Sequence, residues 1–398
     1  MDFYICITPF FPSTDSWRGA YVYDQVKAIQ RNSNYKIIVL KPGNEDYVID
    51  GVSVYGFRVK STRSFLFEGL YDSYNAKQFI ARVKELGIEL NNITFVHCHT
   101  AHFSAYGLAL KRYNTDIKVL VQYHDLDPFT IRNGILSNCY INSNYRARSA
   151  MKLLRQVDLH VCISEPCRDN LLAFPKARKE EIDHKYLSVL KTIKGIRPLD
   201  SNNNIYILNN GVDVSIFRPN DEKKQTDTFR IGCIANFVEL KGHMVLLRAF
   251  DILIKKGYHN MRLSLLGTGP TRKECEEFVQ QNDLTEYVEW PKEVSHECLV
   301  DYYNTLNLYA MPSSFEGFGC VYTEAAACGV PFIGCYYNGA AECIEPTERD
   351  KWLIKPGDYV KLAEIIESYH TNRNKHHLCK PYDINILIAD FLKYLKNI

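Results

Sequence analysis

The chain has 398 residues and a formal net charge of +2, enough length for two or three domains and too little charge for nucleic-acid binding driven by bulk electrostatics. Its 46% hydrophobic and 24% charged residues describe an ordinary globular chain. The 13 cysteines are odd in number and contain no C-x-x-C pair, which argues against a full disulfide framework and favours small buried thiols in a reducing compartment.

The apolar start, MDFYICITPFFPS, carries Asp2 and no cation ahead of the apolar run, so it reads as a first strand and not as a signal peptide. No apolar stretch reaches the roughly 18 residues that span a bilayer, so the expected location is the cytoplasm, with any membrane contact peripheral. Phe3 to Thr8 is the first predicted strand, Pro9 to Arg18 a loop, and Tyr21 to Gln30 a helix with Val22, Val26 and Ile29 on one face. Tyr35 to Leu40 is the second strand. This is the opening of a doubly wound α/β domain, whose ligand lies beyond the strand C-termini. Gly19 stands where loop meets helix and lets backbone approach a ligand closely; a plain tight turn is the competing reading.

Ile93 to His97 and Lys118 to Gln122 are further strands. They end in His97-Cys98-His99 and in Tyr123-His124-Asp125. Neighbouring residues on a strand point to opposite faces, so the first trio is not a chelate by itself. His124 sits at the edge where sites form, although a lone histidine is as often structural. Leu159 to Ile163 is followed by Ser164, an N-cap candidate. Residues 146–197 hold twelve Lys/Arg against six Asp/Glu, and Ile182, Tyr186, Leu190 and Ile193 have helical spacing. One reading is a basic amphipathic helix that rests on anionic lipid at the inner face of the cell membrane. The other, which we weigh slightly ahead, is a solvated helix packed on its own domain. Ile205 to Leu208 is the last strand of this half, and the polar run Asn220 to Thr228 reads as a linker.

The second half opens with strand Arg230 to Ala235, then Asn236 to Leu240, Lys241-Gly242 and a helix with Leu246, Ala249, Phe250 and Leu253 inward. A lysine at a helix start opposes the dipole unless an anion sits there. Strand Arg262 to Leu266 runs into Gly267-Thr268-Gly269-Pro270. The third glycine of a dinucleotide fingerprint is missing and Pro270 breaks it, so a nicotinamide enzyme is disfavoured. Val288 to Pro291 is a short strand. Met311 to Ile344 is the least ambiguous stretch: an apolar strand, Pro312-Ser313-Ser314, the loop Phe315-Glu316-Gly317-Phe318-Gly319, a helix from about Cys320 to Cys328, and a strand from Val330 to Cys335. Glu324 is the one charge between Gly317 and Ala341. A carboxylate on an apolar helix costs several kcal/mol unless it is paired or hydrogen-bonded. Side chains tilt toward a helix N-terminus, so Glu324 leans back toward the loop that carries Glu316. Two carboxylates suit sugar hydroxyls and the helix start suits a phosphate; together they suit a sugar nucleotide.

Glu316 and Glu324, spaced E-x7-E with E-G-F-G after a P-S pair and a later G-x-P, resemble the signature of family-4 retaining glycosyltransferases. The resemblance covers nearly the whole chain and is strongest over 205–345. It implies the α/β GT-B fold, two Rossmann-like doubly wound domains facing across a cleft. We expect an acceptor-side domain over 1–220, a nucleotide-sugar domain over 221–382, and a C-terminal helix over 383–398 that packs back on the first domain. By resemblance, R-G-A-Y-V-Y-D-Q-V around Gly19 is the single-glycine variant of the family's first loop, and N-G-V-D-x-x-x-F-x-P at 210–219 is its domain crossing. His124 then lies near the donor's sugar and phosphate. The family has an Arg about five residues before Lys241, and the two clamp the donor diphosphate. Asn236 stands in that place here and removes one charge from the clamp: either the diphosphate is held less tightly, or another cation such as Arg18 or Lys292 takes the role. Gly267 is implied to turn beside the nucleotide, and the backbone near Val294 to meet the base.

The expected reaction is transfer of a hexose, with retention, from a nucleotide-sugar donor to a glycan or lipid-linked glycan acceptor in surface polysaccharide biosynthesis. Lys241, Glu316 and His124 are the expected catalytic residues. Gly19, Asn236, Lys241, Gly267, Val294, Glu316, Gly317, Phe318, Gly319 and Glu324 are expected to bind donor. Cation and helix-dipole stabilisation of the diphosphate would leave no need for a metal or other cofactor, and Asp125-Leu126-Asp127 follows a strand of the acceptor-side half. The alternatives are another GT-B enzyme such as a sugar-nucleotide epimerase, a non-catalytic sugar-nucleotide-binding subunit of a glycan assembly complex, and a peripheral membrane adaptor.

Overall fold

The computed structural model describes residues 2–14, 16–61, 69–124, 127, 131–132, 135–136, 141–173, 199, 204–220, 227–292, 294, 296–336, 338–373 and 382–398. The basic helix expected over 181–196, most of the 220–228 linker and residues 125 and 126 of the D-x-D lie outside them. The chain divides into two compact units, Met1–Asn210 with Ile384–Ile398, and Gly211–Asp383. The border expected after residue 220 therefore shifts to 210. The reason is visible in the crossing segment: Val212 N donates to Tyr382 O at 2.8 Å, Asn220 N to Asn304 Oδ1 at 2.7 Å, and Phe217 packs on Tyr303.

The first unit carries β1 (Phe3–Ile7), β2 (Lys36–Pro42), β3 (Tyr47–Ile49), β4 (Val52–Phe57), β5 (Ile93–Cys98), β6 (Lys118–Tyr123), the small ribbon β7 (Ile131–Arg132) and β8 (Ile135–Leu136), β9 (Leu159–Cys162) and β10 (Ile205–Ile207). Its main sheet runs β10-β9-β6-β5-β1-β2-β4-β3. It is parallel throughout except for β3, which returns antiparallel on β4. The hairpin β3–β4 was not foreseen in the sequence. The central strands read as near-continuous apolar runs because helices cover both faces. The expected helix near Tyr21 runs Ala20–Asn32 and buries Val22, Val26 and Ile29. Helix Ile384–Leu395 joins the same core through Ile384, Ile388, Phe391, Leu392 and Leu395. Each such side chain, once fully buried, contributes about 1.5–3 kcal/mol, so this C-terminal helix is integral to the first unit.

The second unit carries β11 (Phe229–Ile234), β12 (Met261–Leu266), β13 (Val288–Glu289), β14 (Leu308–Ala310), β15 (Phe332–Cys335) and β16 (Leu353–Ile354). They form one parallel sheet in the order β13-β12-β11-β14-β15-β16. Each sheet reverses its winding once. The reversal falls between β1 and β5 in the first unit and between β11 and β14 in the second. In open α/β sheets the crevice for a ligand opens at that point, beyond the strand C-termini. No helix among the described residues is long and apolar enough to cross a membrane.

Candidate functional site

Two segments meet at the reversal of the second unit. After β11 the chain runs through Asn236 and a short 3-10 turn, Glu239–Lys241, into helix His243–Lys255; Gly242 makes the join at φ 75°. After β14 it runs through Pro312 and Glu316 into helix Cys320–Ala327, entered from Gly319 at φ 86°. The loops are stitched together. Ser314 N donates to Leu240 O at 2.8 Å, and the Ser313 hydroxyl lies 2.9 Å from Leu240 O and 2.8 Å from Phe315 O. Gly242 passes so close that a Cβ there would stand 2.3 Å from Pro312 O. This stitching brings Lys241 Nζ to 2.5 Å from Glu316 Oε1. Glu316 is only 8% exposed, so without Lys241 it would be a nearly buried charge lacking its counterion. Two helix N-termini, whose first backbone N–H groups lie beyond the regular intrahelical ladder, flank this ion pair.

Glu324, also 8% exposed, does not touch Glu316 or Lys241 through any hydrogen bond or ion pair. Instead Tyr303 donates its hydroxyl to Glu324 Oε2 at 2.8 Å, and His296 Nε2 stands 3.9 Å from Oε1. Tyr303 is fully buried; burial first, and the Glu324 charge second, hold its phenol well above the usual range, so it stays a donor. The sequence called for some partner to Glu324 but named neither Tyr303 nor His296. A lone tyrosine one helix upstream gives no local signal.

Of the remaining donor candidates, Gly267, Val294 and Phe318 follow strand ends of the same sheet. Gly267 follows β12 at φ 141°, where a Cβ would stand 2.1 Å from Ala235 O, directly before Asn236. Phe318 is 1% exposed, its ring edge-on to Tyr382 at 5.2 Å, and Gly339 packs against its backbone. Its side chain is therefore committed to packing, and only the backbone of Gly317, Phe318 and Gly319 remains to meet a ligand. Val294 is 41% exposed after β13. Of the two substitute cations, Arg18 lies in the first unit with its guanidinium 3.6 Å from the Phe10 ring centre, and Lys292 is exposed. A cation that the sequence reading passed over, Arg272, stands at this edge: its Nη1 donates to Gly267 O at 3.1 Å and its guanidinium carbon is 5.4 Å from the Trp290 ring centre. Glu276 accepts from its Nε at 2.8 Å.

At the reversal of the first unit, a Cβ on Gly19 would stand 2.4 Å from Phe10 O, so the loop closes tightly on the start of its helix. His99 is pinned beside it, its N donating to Ile7 O at 2.8 Å. His124 Nε2 lies 2.8 Å from His99 Nδ1, the rings stacked at 5.1 Å and 10°. His97 and His99, which share a face, lie 4.5 Å apart, and Tyr4 reaches His97 Nδ1 at 2.6 Å. Burial pushes His97 and His124 down to about 3 and His99 well below its ordinary value, so all three are neutral near pH 7. His124 Nδ1 is buried and has no hydrogen-bond partner among the described residues. Among the described residues no three or more His, Cys, Asp or Glu are grouped to hold a metal ion.

Comparison with known proteins follows this geometry. Residues 216–385 match the model of glycosyl transferases group 1, and residues 19–182 that of glycosyltransferase family 4. The capsular polysaccharide biosynthesis glycosyltransferase CapM of Staphylococcus aureus is 29% identical over 205 residues, 50% of this chain and 52% of that protein. The chain thus spans about half the length of that relative. Two solved structures share the fold over nearly all of both chains. Sucrose-phosphate synthase of Thermosynechococcus elongatus has TM-score 0.71, 17% identity and coverage of 99% and 95%. Anabaena Alr3699/HepE in complex with UDP has TM-score 0.69, 15% identity and coverage of 100% of each chain; it is also solved with UDP-glucose. Matched in both halves by glycosyltransferase models, and built as two parallel-sheet α/β domains, this chain belongs to the family-4 glycosyltransferases of the GT-B fold.

Proposed function

We propose that this protein transfers a hexose, with retention of configuration, from a nucleotide-sugar donor to a glycan or lipid-linked glycan acceptor in polysaccharide biosynthesis. The observation that carries the reading is the Lys241–Glu316 pair at the winding reversal of the second sheet, flanked by two helix N-termini. The diphosphate lies across those N-termini and takes Lys241. Negative charge builds on the diphosphate as the glycosidic bond breaks, so a fixed cation and oriented N–H groups act where the transition state needs them. Released from Lys241, Glu316 accepts hydrogen bonds from the sugar hydroxyls, with the backbone of Gly317–Gly319 beside it. Glu324 accepts the ribose hydroxyls. Arg272 adds positive charge beside the Gly267 turn, where Asn236 supplies none. His124, neutral at working pH, contributes a hydrogen bond and no charge. With these groups meeting the leaving diphosphate, transfer is expected to persist in excess EDTA.

The capsular role named for the Staphylococcus aureus relative supports a polysaccharide acceptor, and the UDP-glucose bound by the Anabaena neighbour supports a nucleotide-hexose donor. The test is a thermal-shift panel of UDP-, GDP- and ADP-sugars on the wild type and on Glu324→Ala. A shift with one donor, lost in the variant, is the expected result. A folded wild type that no donor shifts would overturn the reading and leave a silent scaffold.

A further inference from the structure

Glu324 has two oxygens with unequal surroundings. Oε2 accepts from a fully buried phenol at 2.8 Å, while Oε1 has His296 Nε2 at 3.9 Å, beyond hydrogen-bond range. Tyr303 cannot easily turn away. It is boxed by Phe217 at 6.1 Å, Tyr302 at 6.4 Å and Tyr309 at 5.8 Å, ring centre to ring centre. Tyr309 is itself fixed, its hydroxyl donating to Ile234 O at the end of β11. Phe217 arrives from the segment that follows the crossing at Gly211.

A glutamate on a helix has three rotatable bonds, and a carboxylate that must hold two neighbouring hydroxyls at once needs its plane set beforehand. Helix packing fixes only the base of the side chain. Here an O–H donor from a different helix, Leu299–Asn304, fixes its tip.

We propose that Tyr303 is the positioning residue of the nucleotide site: by occupying Oε2 it sets the carboxylate plane of Glu324 so that the remaining lone pairs face the ribose 2′- and 3′-hydroxyls, which makes this tyrosine a determinant of ribonucleotide over 2′-deoxyribonucleotide selectivity. The inference rests on the reading of Glu324 as the ribose acceptor given above. Tyr303 touches no ligand in this account and acts only through Glu324.

The test measures dissociation constants of UDP and 2′-deoxy-UDP, with the GDP and ADP pairs alongside, by calorimetry on the whole protein. Hydrogen bonds to a charged acceptor set the wild-type preference for the ribonucleotide at about 10-fold or more. Tyr303→Phe removes one oxygen and keeps the ring packing. It should bring the preference below about 3-fold by weakening the ribonucleotide more than the 2′-deoxynucleotide, which keeps only its 3′-hydroxyl for Glu324. A purely structural tyrosine would weaken both nucleotides by the same factor and leave the preference unchanged. Tyr303→Met serves if the phenylalanine variant does not fold, and Glu324→Ala is the reference that should abolish the preference. If Glu324→Ala abolishes it and Tyr303→Phe leaves it intact, the positioning role is overturned while the ribose reading stands. If Glu324→Ala leaves the preference intact, the ribose reading falls and the inference falls with it.

Discussion

The two winding reversals are built from opposite chemistry. In the second unit, charged side chains from separate loops neutralise each other at the strand ends, Lys241 against Glu316, with Glu324 nearby on a tyrosine. In the first unit the same position in the fold holds His97, His99 and His124, all driven neutral by burial. A charged edge suits a substrate whose charge changes during reaction, such as a departing diphosphate. A neutral, hydrogen-bonding edge suits hydroxyl groups.

That division can be broken by mutation. Lys241→Ala should have the largest effect, a fall in turnover of about 10²–10³-fold in a nucleotide-release assay, the range found when one transition-state donor is removed. It also leaves Glu316 without its counterion, so the unliganded variant should melt earlier than the wild type. Gly242→Ala comes next. The added Cβ meets Pro312 O at 2.3 Å and the backbone sits at φ 75°, so loss of at least about 1–3 kcal/mol is expected in urea unfolding, with donor binding weakened in parallel.

Acid should act on the units unequally. His97 and His124 titrate at about 3 and His160 at about 4, all below the roughly 6.5 of an unfolded chain. Below pH 6.5 the unfolded state takes up protons that the folded state refuses. The stability these groups contribute is therefore complete above pH 6.5 and drains as the pH falls toward 4, at up to about 1.4 kcal/mol per unit for each histidine. The second unit has His243 lowered to about 4 and His370 lowered, both first by burial and then by a neighbouring cation. Amide exchange compared at pH 7 and pH 5 should thus accelerate first in the strands β5, β6 and β9. Equal acceleration in β11 and β12 would count against the contrast. His124→Ala should have the smallest effect, about a 10-fold loss of turnover with little change in donor affinity, as one neutral hydrogen bond warrants. A loss as deep as that of Lys241→Ala would mean that the first unit also stabilises charge.

The same contrast explains what was legible in the sequence. Glu316, Glu324, Gly319 and Lys241 could be read because each sits at a local junction of strand, loop and helix, and because an isolated charge on an apolar helix demands a reason. The pairing of Lys241 with Glu316 could not, since it depends on hydrogen bonds from the Ser314 backbone and hydroxyl to Leu240 O across 74 residues of chain. Tyr303, His296 and Arg272 were passed over for a related reason: they act from neighbouring helices or the turns before them, and nothing in their own surroundings marks them. For Phe318 the loop offers its backbone N–H to a ligand, and its ring packs edge-on against Tyr382. The His99–His124 contact was missed because β5 and β6 become neighbours only in the folded sheet.

Hydrogen exchange read by mass spectrometry, with and without a saturating donor chosen from the thermal-shift panel, tests the central claim without altering a residue. Slowed exchange concentrated in the amides of residues 240–246 and 316–323, the two loop-to-helix junctions of the second unit, is the predicted result. Saturated binding that leaves both junctions unprotected would contradict it and place the donor elsewhere on the molecule.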